Sequence, residues 1–223
     1  MLTSSPNYMT ELTAMVEQCH GVLSLMEPAE DTLVRRGPYR LDNGAIYEGY
    51  WSAEGARHGP GKQMWLDGSK YDGMWANDRA NGRGRLIHSD GSMYEGEWLN
   101  DMAHGQGTYF QLNGAVHSGS WCHDKQNGPG VETWPDKRRF EGNFVDGNKN
   151  GIGKFTFEDE SYYHGEYRDN KIHGQGLFVW ADGRRFEGLW ERNQMQGKGT
   201  FQWVDGRKYV GEYHANKKQG YGE

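Results

Sequence analysis

The sequence has few of the features that mark a secreted or membrane-spanning protein. Its 223 residues include two cysteines and six prolines, and no apolar run reaches the roughly 18 residues that cross a bilayer. The N-terminus lacks the basic region and apolar stretch of a signal peptide. Because Cys19 and Cys122 belong to no CxxC pair, they fit a reducing compartment. These absences predict a cytoplasmic protein.

Patterns of charge and reactive side chains are also scarce. The net charge of −6 disfavours nonspecific binding to nucleic acid, which needs a basic surface. Residues 55–62 resemble a phosphate-binding loop, but five residues instead of four separate Gly55 from Gly61, and Gln63 stands where Ser or Thr is needed. No nucleophile and base occur at a recognisable spacing. We therefore expect no enzyme activity, no catalytic residues and no cofactor.

Histidine and cysteine form no recognisable metal motif. His58 and His104 are two repeats apart, about 19 Å along a sheet, which is too far to share an ion. His117, Cys122 and His123 form a looser cluster for which strand and loop geometry offers no fourth ligand. The sequence predicts no metal site.

Glycine and aromatic residues are abundant instead, and they recur at a fixed period. Glycine is 34 of 223 residues, against an ordinary share of ~7%. Gly-x-Gly pairs recur every 23 residues, beginning at Gly59, Gly82, Gly105, Gly128, Gly151, Gly174, Gly197 and Gly220. An aromatic-x-Gly-x-aromatic motif, with one histidine start, begins at Tyr47, Tyr71, Tyr94, His117, Phe140, Tyr163, Phe186 and Tyr209. Eight repeats are therefore present.

Each repeat has the pattern of a β-hairpin. Residues 70–75 alternate aromatic or glycine with polar residues, which is the pattern of a strand with one apolar face. Residues 76–81 are interpreted as a polar loop, and the Asn/Asp-Gly pair after the second strand predicts a two-residue type I′ turn. Lys137 and Glu160 replace that glycine in two repeats and leave the turn geometry there open.

The expected fold class is all-β, an elongated single-layer antiparallel β-meander rod of eight hairpin repeats with a short N-terminal helix. Sixteen strands at ~4.8 Å spacing give a rod about 75 Å long. Glycines without Cβ atoms let aromatic rings lie over the neighbouring strand. No second layer is available, so the aromatic face is expected to be only partly covered.

The repeat unit resembles the MORN (membrane occupation and recognition nexus) repeat, as residues 94–98 followed by residues 104–107 illustrate. The resemblance extends over about 185 residues of the chain. It implies an elongated β-rod with an aromatic groove, often dimeric through one end. Similar proteins are mostly non-enzymatic scaffolds of the cytoskeleton, cilia and membrane junctions, although some enzymes carry such arrays as accessory modules.

Two regions are expected, an N-terminal segment over residues 1–36 and the repeat array over residues 37–223. Ser5 and Pro6 suit the N-cap and first position of a helix reaching roughly residue 26, which Gly21 interrupts and Pro28 ends. The segment either caps the sheet or binds a partner, and both alternatives stay open.

Two candidate binding surfaces follow from the repeat pattern. A partner helix or extended peptide is predicted to bind an aromatic groove made of Tyr163, Tyr167, Phe178, Trp180, Phe186, Trp190, Phe201 and Trp203. Basic doublets after the turns predict a basic edge for an acidic partner or phosphoinositide head groups, made of Arg138, Arg139, Arg184, Arg185, Arg207 and Lys208.

The favoured function is a non-enzymatic scaffold that binds and positions protein partners in a cytoskeletal, ciliary or membrane-junction assembly. The alternatives are a phosphoinositide-binding membrane tether and the accessory repeat region of a larger enzyme. Because the eighth repeat stops after Gly220–Gly222, its edge strand is also expected to pair with a second copy, giving a homodimer, or with more of the natural chain.

Overall fold

The computed structural model describes residues 9–25 and 32–223, which form one helix and 17 strands. The bounds are α1 Glu11–His20, β1 Val34–Arg40, β2 Ile46–Trp51, β3 Arg57–Met64, β4 Lys70–Ala76, β5 Arg79–Ile87, β6 Met93–Leu99, β7 Met102–Phe110, β8 Val116–Cys122, β9 Lys125–Thr133, β10 Arg139–Val145, β11 Asn148–Thr156, β12 Tyr162–Arg168, β13 Lys171–Val179, β14 Arg185–Glu191, β15 Gln194–Gln202, β16 Lys208–His214 and β17 Lys217–Gly222. The strands form one open antiparallel sheet, so the all-β meander fold is confirmed.

The strand count is 17, and the expected count of 16 is wrong. Lys217–Gly222 forms β17, which pairs with β16. The expected count omits the second strand of the eighth repeat, because a loop over residues 76–81 and their equivalents leaves only residues 220–223 for that strand. In the structure Ala76 pairs with Arg79, and only Asn77 and Asp78 form the turn, with φ of 49° and 67°. Both turn residues are left-handed, so this turn has the positive φ values expected of type I′.

The turns between repeats differ from the predicted type I′ geometry. The turn that contains Asp67 and Gly68 is an example. The Trp65 N–H donates to the Ser69 carbonyl and the Gly68 N–H donates to the Trp65 carbonyl, so residues 66–68 form a three-residue loop. Gly68 has φ of 89°, whereas Asp67 is not left-handed and its carboxylate accepts the Ser69 N–H. A three-residue hairpin loop needs a left-handed residue only at its last position.

Lys137 and Glu160 occupy that last position and keep the same backbone conformation, with φ of 73° and 67°. A side chain costs roughly 1 kcal/mol in the left-handed region, which glycine enters freely. We therefore expect Lys137→Gly and Glu160→Gly each to raise the free energy of unfolding by about 0.5–1 kcal/mol in denaturant titrations. As a control, Gly183→Lys at the equivalent position should lower it, and an unchanged stability in all three variants would contradict this account of the turns.

Hydrogen bonds from the hairpin turns link each repeat to the one before it. The Asp101 carboxylate accepts the Ala80 N–H at 2.7 Å, and the Asp101 N–H donates to the Ala80 carbonyl. Asn193 makes the same two contacts with Ile172. The equivalent side-chain acceptors are Asp78, Asp124, Asn170 and Asn216. A short polar acceptor at this turn position therefore stabilises the stacking of repeats.

The chain comprises two units, and the first contains residues 1–114 and 121–124. Its core is a row of alternating tyrosine and tryptophan rings in edge-to-face contact, with centroids 5.1–5.4 Å apart from Tyr47 to Trp121. The Trp75 indole donates to the Gly61 carbonyl at 3.1 Å, and Trp98 and Trp121 repeat this contact. These rings are buried, so this face is better covered than a single layer led us to expect.

The second unit contains residues 115–120 and 125–223. Its core has the same plan, with rings from the first strand of each repeat buried over glycine backbone, and comprises Phe140, Phe144, Tyr163, Tyr167, Phe186, Trp190 and Tyr213. His117 is fully buried and takes the place of the leading aromatic ring, with its ring 4.7 Å from Phe144.

Helix α1 is shorter than predicted. Thr10 is its N-cap and accepts the Thr13 N–H, and Gly21, with φ of 70°, follows its last residue. The proposed cap at Ser5 and Pro6 and the end at Pro28 lie outside the described residues. Ten residues span about 15 Å. Within residues 9–25 and 32–223, no helix has the length and apolar character to span a membrane.

Helix α1 lies on the face of the sheet opposite the aromatic rings. Lys70 and Arg85 alternate with Tyr71 and Leu86 along β4 and β5, so they point to the other face. Lys70 pairs with Glu17, Arg85 donates to the Gly21 carbonyl, and Thr13 donates to the Gly68 carbonyl at 2.9 Å. The helix therefore does not contribute to the burial of the aromatic rings of the first unit.

Candidate functional site: an exposed aromatic ladder

The residues predicted to form a groove separate into a buried and a partly exposed set. Tyr163, Tyr167, Phe186 and Trp190 come from the first strands of their repeats and are buried. Phe178, Trp180, Phe201 and Trp203 come from the second strands and the residues that follow them, and are partly exposed. The structure places both sets in one cluster, because Phe178 pairs with Tyr163 and Phe186 on the same face. The buried set forms the floor, and the exposed set is available for contact.

The exposed set belongs to a longer row of rings. Each ring contacts the next with centroids 4.7–5.7 Å apart and planes inclined at 41–59°. We call this row the aromatic ladder, and its members in order are Trp134, Phe155, Phe157, Phe178, Trp180, Phe201 and Trp203. All seven side chains lie in the second unit and are partly exposed.

The sequence prediction missed Trp134, Phe155 and Phe157. Two positions carry the ladder, the second and fourth residues after each Gly-x-Gly pair, and both are aromatic in three consecutive repeats. In earlier repeats the same positions are Gln63 and Trp65, or Leu86 and His88. The restriction of this double aromatic pattern to the second unit was the sequence signal that could have identified the ladder. The leading floor position is aromatic or histidine in every repeat, whereas the repeat with Leu86 and His88 folds without an aromatic residue at either ladder position.

Basic side chains lie over ladder rings. The Arg184 guanidinium is 5.6 Å from the Trp180 ring centroid, and its Nε lies 2.6 Å from the Asp182 carboxylate. Arg207 repeats this arrangement with Trp203 and Asp205. Because each guanidinium pairs with an aspartate, it extends the apolar surface more than it adds net charge.

The predicted basic edge does not form one surface. Arg138 stacks on Trp134, on the ladder face, at 5.3 Å. Arg139 alternates with Phe140 along β10, points to the opposite face and pairs with Glu141 at 2.9 Å. Arg185 likewise alternates with Phe186 and donates to Gln202. Each doublet therefore contributes one cation to each face.

One end of the ladder contains a largely covered ion pair. The Lys149 ammonium lies 2.7 Å from the Glu132 carboxylate and 5.3 Å from the Trp134 ring centroid. Both side chains are less than one-fifth exposed. This pair places a fixed charge of each sign beside Trp134.

The tyrosines in the floor are neutral. Burial raises the pKa of Tyr163 and of Tyr167 well above the usual value for a phenol, and burial raises the pKa of Tyr213 to about 12. The Tyr163 hydroxyl donates to the Glu166 carbonyl at 3.2 Å. These phenols do not ionise at neutral pH, so their chemical contribution is shape and apolar surface.

A family model described as the MORN repeat matches eight segments, residues 47–70, 71–93, 94–115, 117–137, 140–162, 163–184, 186–206 and 209–223, which confirms the resemblance. The phosphatidylinositol 4-phosphate 5-kinase 1 of Oryza sativa subsp. japonica is 49% identical over 43 residues, or 19% of this chain and 5% of the kinase.

Two solved structures are similar in their strand arrangement. One is the SAS-4 TCP domain in complex with a proline-rich motif of Ana2, from Drosophila melanogaster, with 16% identity, a TM-score of 0.39, and coverage of 85% of this chain and 96% of that one. The other is the G-box domain of the microcephaly protein CPAP, with 16% identity, a TM-score of 0.41, and coverage of 81% and 100%.

Proposed function

The chain belongs to the MORN-repeat family, and we propose that it is a non-enzymatic scaffold whose aromatic ladder binds an extended segment of a protein partner. The observation that carries this proposal is the ladder itself, a continuous row of seven partly exposed rings at positions that the repeat fold does not need to fill with aromatics. Exposed contiguous apolar surface of this kind is typical of interaction sites.

The spacing of the ladder favours an extended segment over a helix. Equivalent rings one repeat apart are separated by two strands, or about 9.6 Å. Three residues of a polyproline II helix advance about 9.3 Å, so every third residue meets an equivalent ring. An α-helix returns to the same face only after seven residues, or about 10.5 Å, so it loses register with the rings by about 0.9 Å per repeat, three times the mismatch of polyproline II. A proline-rich strand of the partner is the segment that fits.

No specific observation favours a phosphoinositide tether as a second function. The basic doublets divide between two faces, and three of their arginines pair with aspartate in the adjacent turn. The match to the rice kinase covers repeat sequence alone and does not indicate enzyme activity in this chain. A cytoskeletal or ciliary location for the scaffold is part of our proposal and depends on the partner.

Peptide selection tests the proposal. Random peptides displayed on phage are selected on the wild-type chain, and the recovered peptides are titrated by fluorescence anisotropy. We expect proline or apolar residues three positions apart in the recovered peptides. The double variant Trp180→Ala/Trp203→Ala should bind them at least about tenfold more weakly, because truncated aromatic anchors typically cost more than 1 kcal/mol each.

Leu189→Ala provides the matched control, since Leu189 is exposed on β14 but points to the face opposite Trp190. It should bind the peptides like the wild type. Circular dichroism should show the same strand content and a similar melting temperature in both variants. Equal binding by the tryptophan variant, or selection of peptides without the three-residue spacing, would contradict the proposal.

A further inference from the structure

Three potential metal ligands meet at the hairpin turn between β8 and β9. The ring nitrogen, thiol and ring nitrogen offered by His104, Cys122 and His123 all lie within 4.8 Å of one another. Cys122 Sγ and His123 Nδ1 are 3.1 Å apart, and the rings of His104 and His123 are in edge contact at 5.6 Å. All three belong to the first unit.

Backbone geometry explains how adjacent residues contribute to one cluster. Successive residues of a strand point to opposite faces, which would separate Cys122 from His123. His123 is instead the first residue of the two-residue turn, with a left-handed φ of 49°. From the sequence, His117 is expected in this cluster, but the structure puts His104, from β7, beside the other two. His104 therefore offers a third potential ligand from a neighbouring strand.

The histidine ligands are not needed for the repeat fold. The position of His104 is asparagine in other repeats, as at Asn81 and Asn127. The position of His123 is asparagine at Asn77 and Asn100, which keep the same φ within 2°. Moreover, His104 Nδ1 is buried without a hydrogen-bond partner among the described residues. A buried imidazole nitrogen without a partner has an unused lone pair or N–H.

We propose that His104, Cys122 and His123 form a site for one Zn²⁺ ion. Zinc binds histidine nitrogen at about 2.0–2.1 Å and cysteine sulfur at about 2.3 Å, so the ligand atoms of a tetrahedral site with one sulfur lie about 3.3–3.6 Å apart. A side-chain adjustment of about 1 Å converts the cluster to that geometry. Binding forms one Zn–S and two Zn–N bonds, and the Cys122 thiol releases its proton to solvent. Water takes the fourth position.

The test is titration of the tag-free, reduced chain with ZnCl₂ and, as a spectroscopic probe, CoCl₂. We expect one zinc per chain by isothermal titration calorimetry and, with cobalt, the near-ultraviolet charge-transfer band of a thiolate ligand. Cys122→Ala should abolish the cobalt band. His104→Asn and His123→Asn should each weaken zinc binding about tenfold or more, because each removes one of three protein ligands.

The chain offers close controls for each change. Cys19→Ala removes the other cysteine, and His58→Asn alters the same repeat position as His104 in a repeat without a cysteine at the turn. Both should bind zinc and cobalt like the wild type. Asparagine already occupies these positions elsewhere, so the His variants should remain folded. Absence of one-to-one zinc binding, or unchanged binding in Cys122→Ala and His104→Asn, would overturn the proposal.

Discussion

Gly107→Val will lower the free energy of unfolding of the first unit by about 3 kcal/mol, because buried side chains that overlap force costly rearrangements. A Cβ atom at Gly107 would overlap the Tyr94 hydroxyl and the ring carbons beside it. Tyr94 is buried, and its hydroxyl donates to the Glu97 carbonyl at 3.1 Å. The ring also contacts Trp98 and Trp121, with centroids 5.2 and 5.1 Å away, so it cannot move away cheaply. Thermal melting and amide hydrogen exchange in β6 and β7 measure the effect.

Two further variants distinguish ring overlap from a general intolerance of valine. Gly37→Val is the control, because a Cβ at Gly37 meets nothing within 4 Å and its φ is not left-handed. It should change the stability by less than about 0.5 kcal/mol. In the Tyr94→Ala background, Gly107→Val should cost much less than in the wild type, since the ring is gone. Equal costs in both backgrounds would show that the glycine does not serve the ring.

Gly105 illustrates a limit of sequence reasoning about glycine. The repeat pattern treats both members of the Gly-x-Gly pair as room for a ring. Gly105 has φ of 62°, and a Cβ there would meet the Glu97 carboxylate and not Tyr94. A valine at Gly105 would therefore strike the Glu97 side chain and not a ring. Glycine is required at this position by the left-handed backbone conformation, which lies next to the register shift between Gly96 and Glu97.

The fixed period of the glycine and aromatic motifs made the hairpins, their order and their aromatic core predictable. Alternation and glycine placement are local properties of a strand. The turn types were not predictable in the same way. Four of residues 76–81 are polar, but Asp78 is polar because its carboxylate accepts the N–H of Arg57 in the preceding repeat. That contact joins residues 21 positions apart, and a local reading of polarity assigns such residues to a loop.

The position of helix α1 also depended on information from the opposite face of the sheet. Ile87 and Met93 are paired neighbours on that face and are fully or nearly buried, and Phe110 contacts His20. Their alternation with the floor rings was present in the sequence. However, charged residues such as Lys70 and Arg85 lie on the same face and give it the pattern of a solvent-exposed surface. Their partners lie on the helix and at its C-terminal end. Similarly, the sequence does not tell which aromatic rings are buried in the floor and which are partly exposed, so the ladder could be recognised only from the structure.

Acidification will destabilise the second unit through His117 before it protonates most carboxylates. Burial, together with the nearby Lys149 ammonium, lowers the pKa of His117 to about 4 from its ordinary value of 6.5. Lys149 in turn pairs with Glu132. The ring is packed against Phe144 and against Gly130, where a Cβ would meet it at 2.7 Å. An imidazolium cannot be accommodated there without losing its hydration.

The direction of the effect follows from proton uptake. Between pH 6.5 and pH 4 the unfolded chain binds a proton at His117 and the folded chain does not, so stability falls as the pH falls. The stability contributed by neutral His117 is fully present above pH 6.5. At pH 4 the free energy of unfolding has fallen by on the order of 3 kcal/mol. Because most repeats have an aromatic ring at this position, His117→Phe should fold normally and lack this loss. Denaturant titrations from pH 7.5 to 4.5 compare the two proteins, and the carboxylates they share cancel in the difference. Parallel stability profiles across that range would show that His117 is not buried as the neutral form.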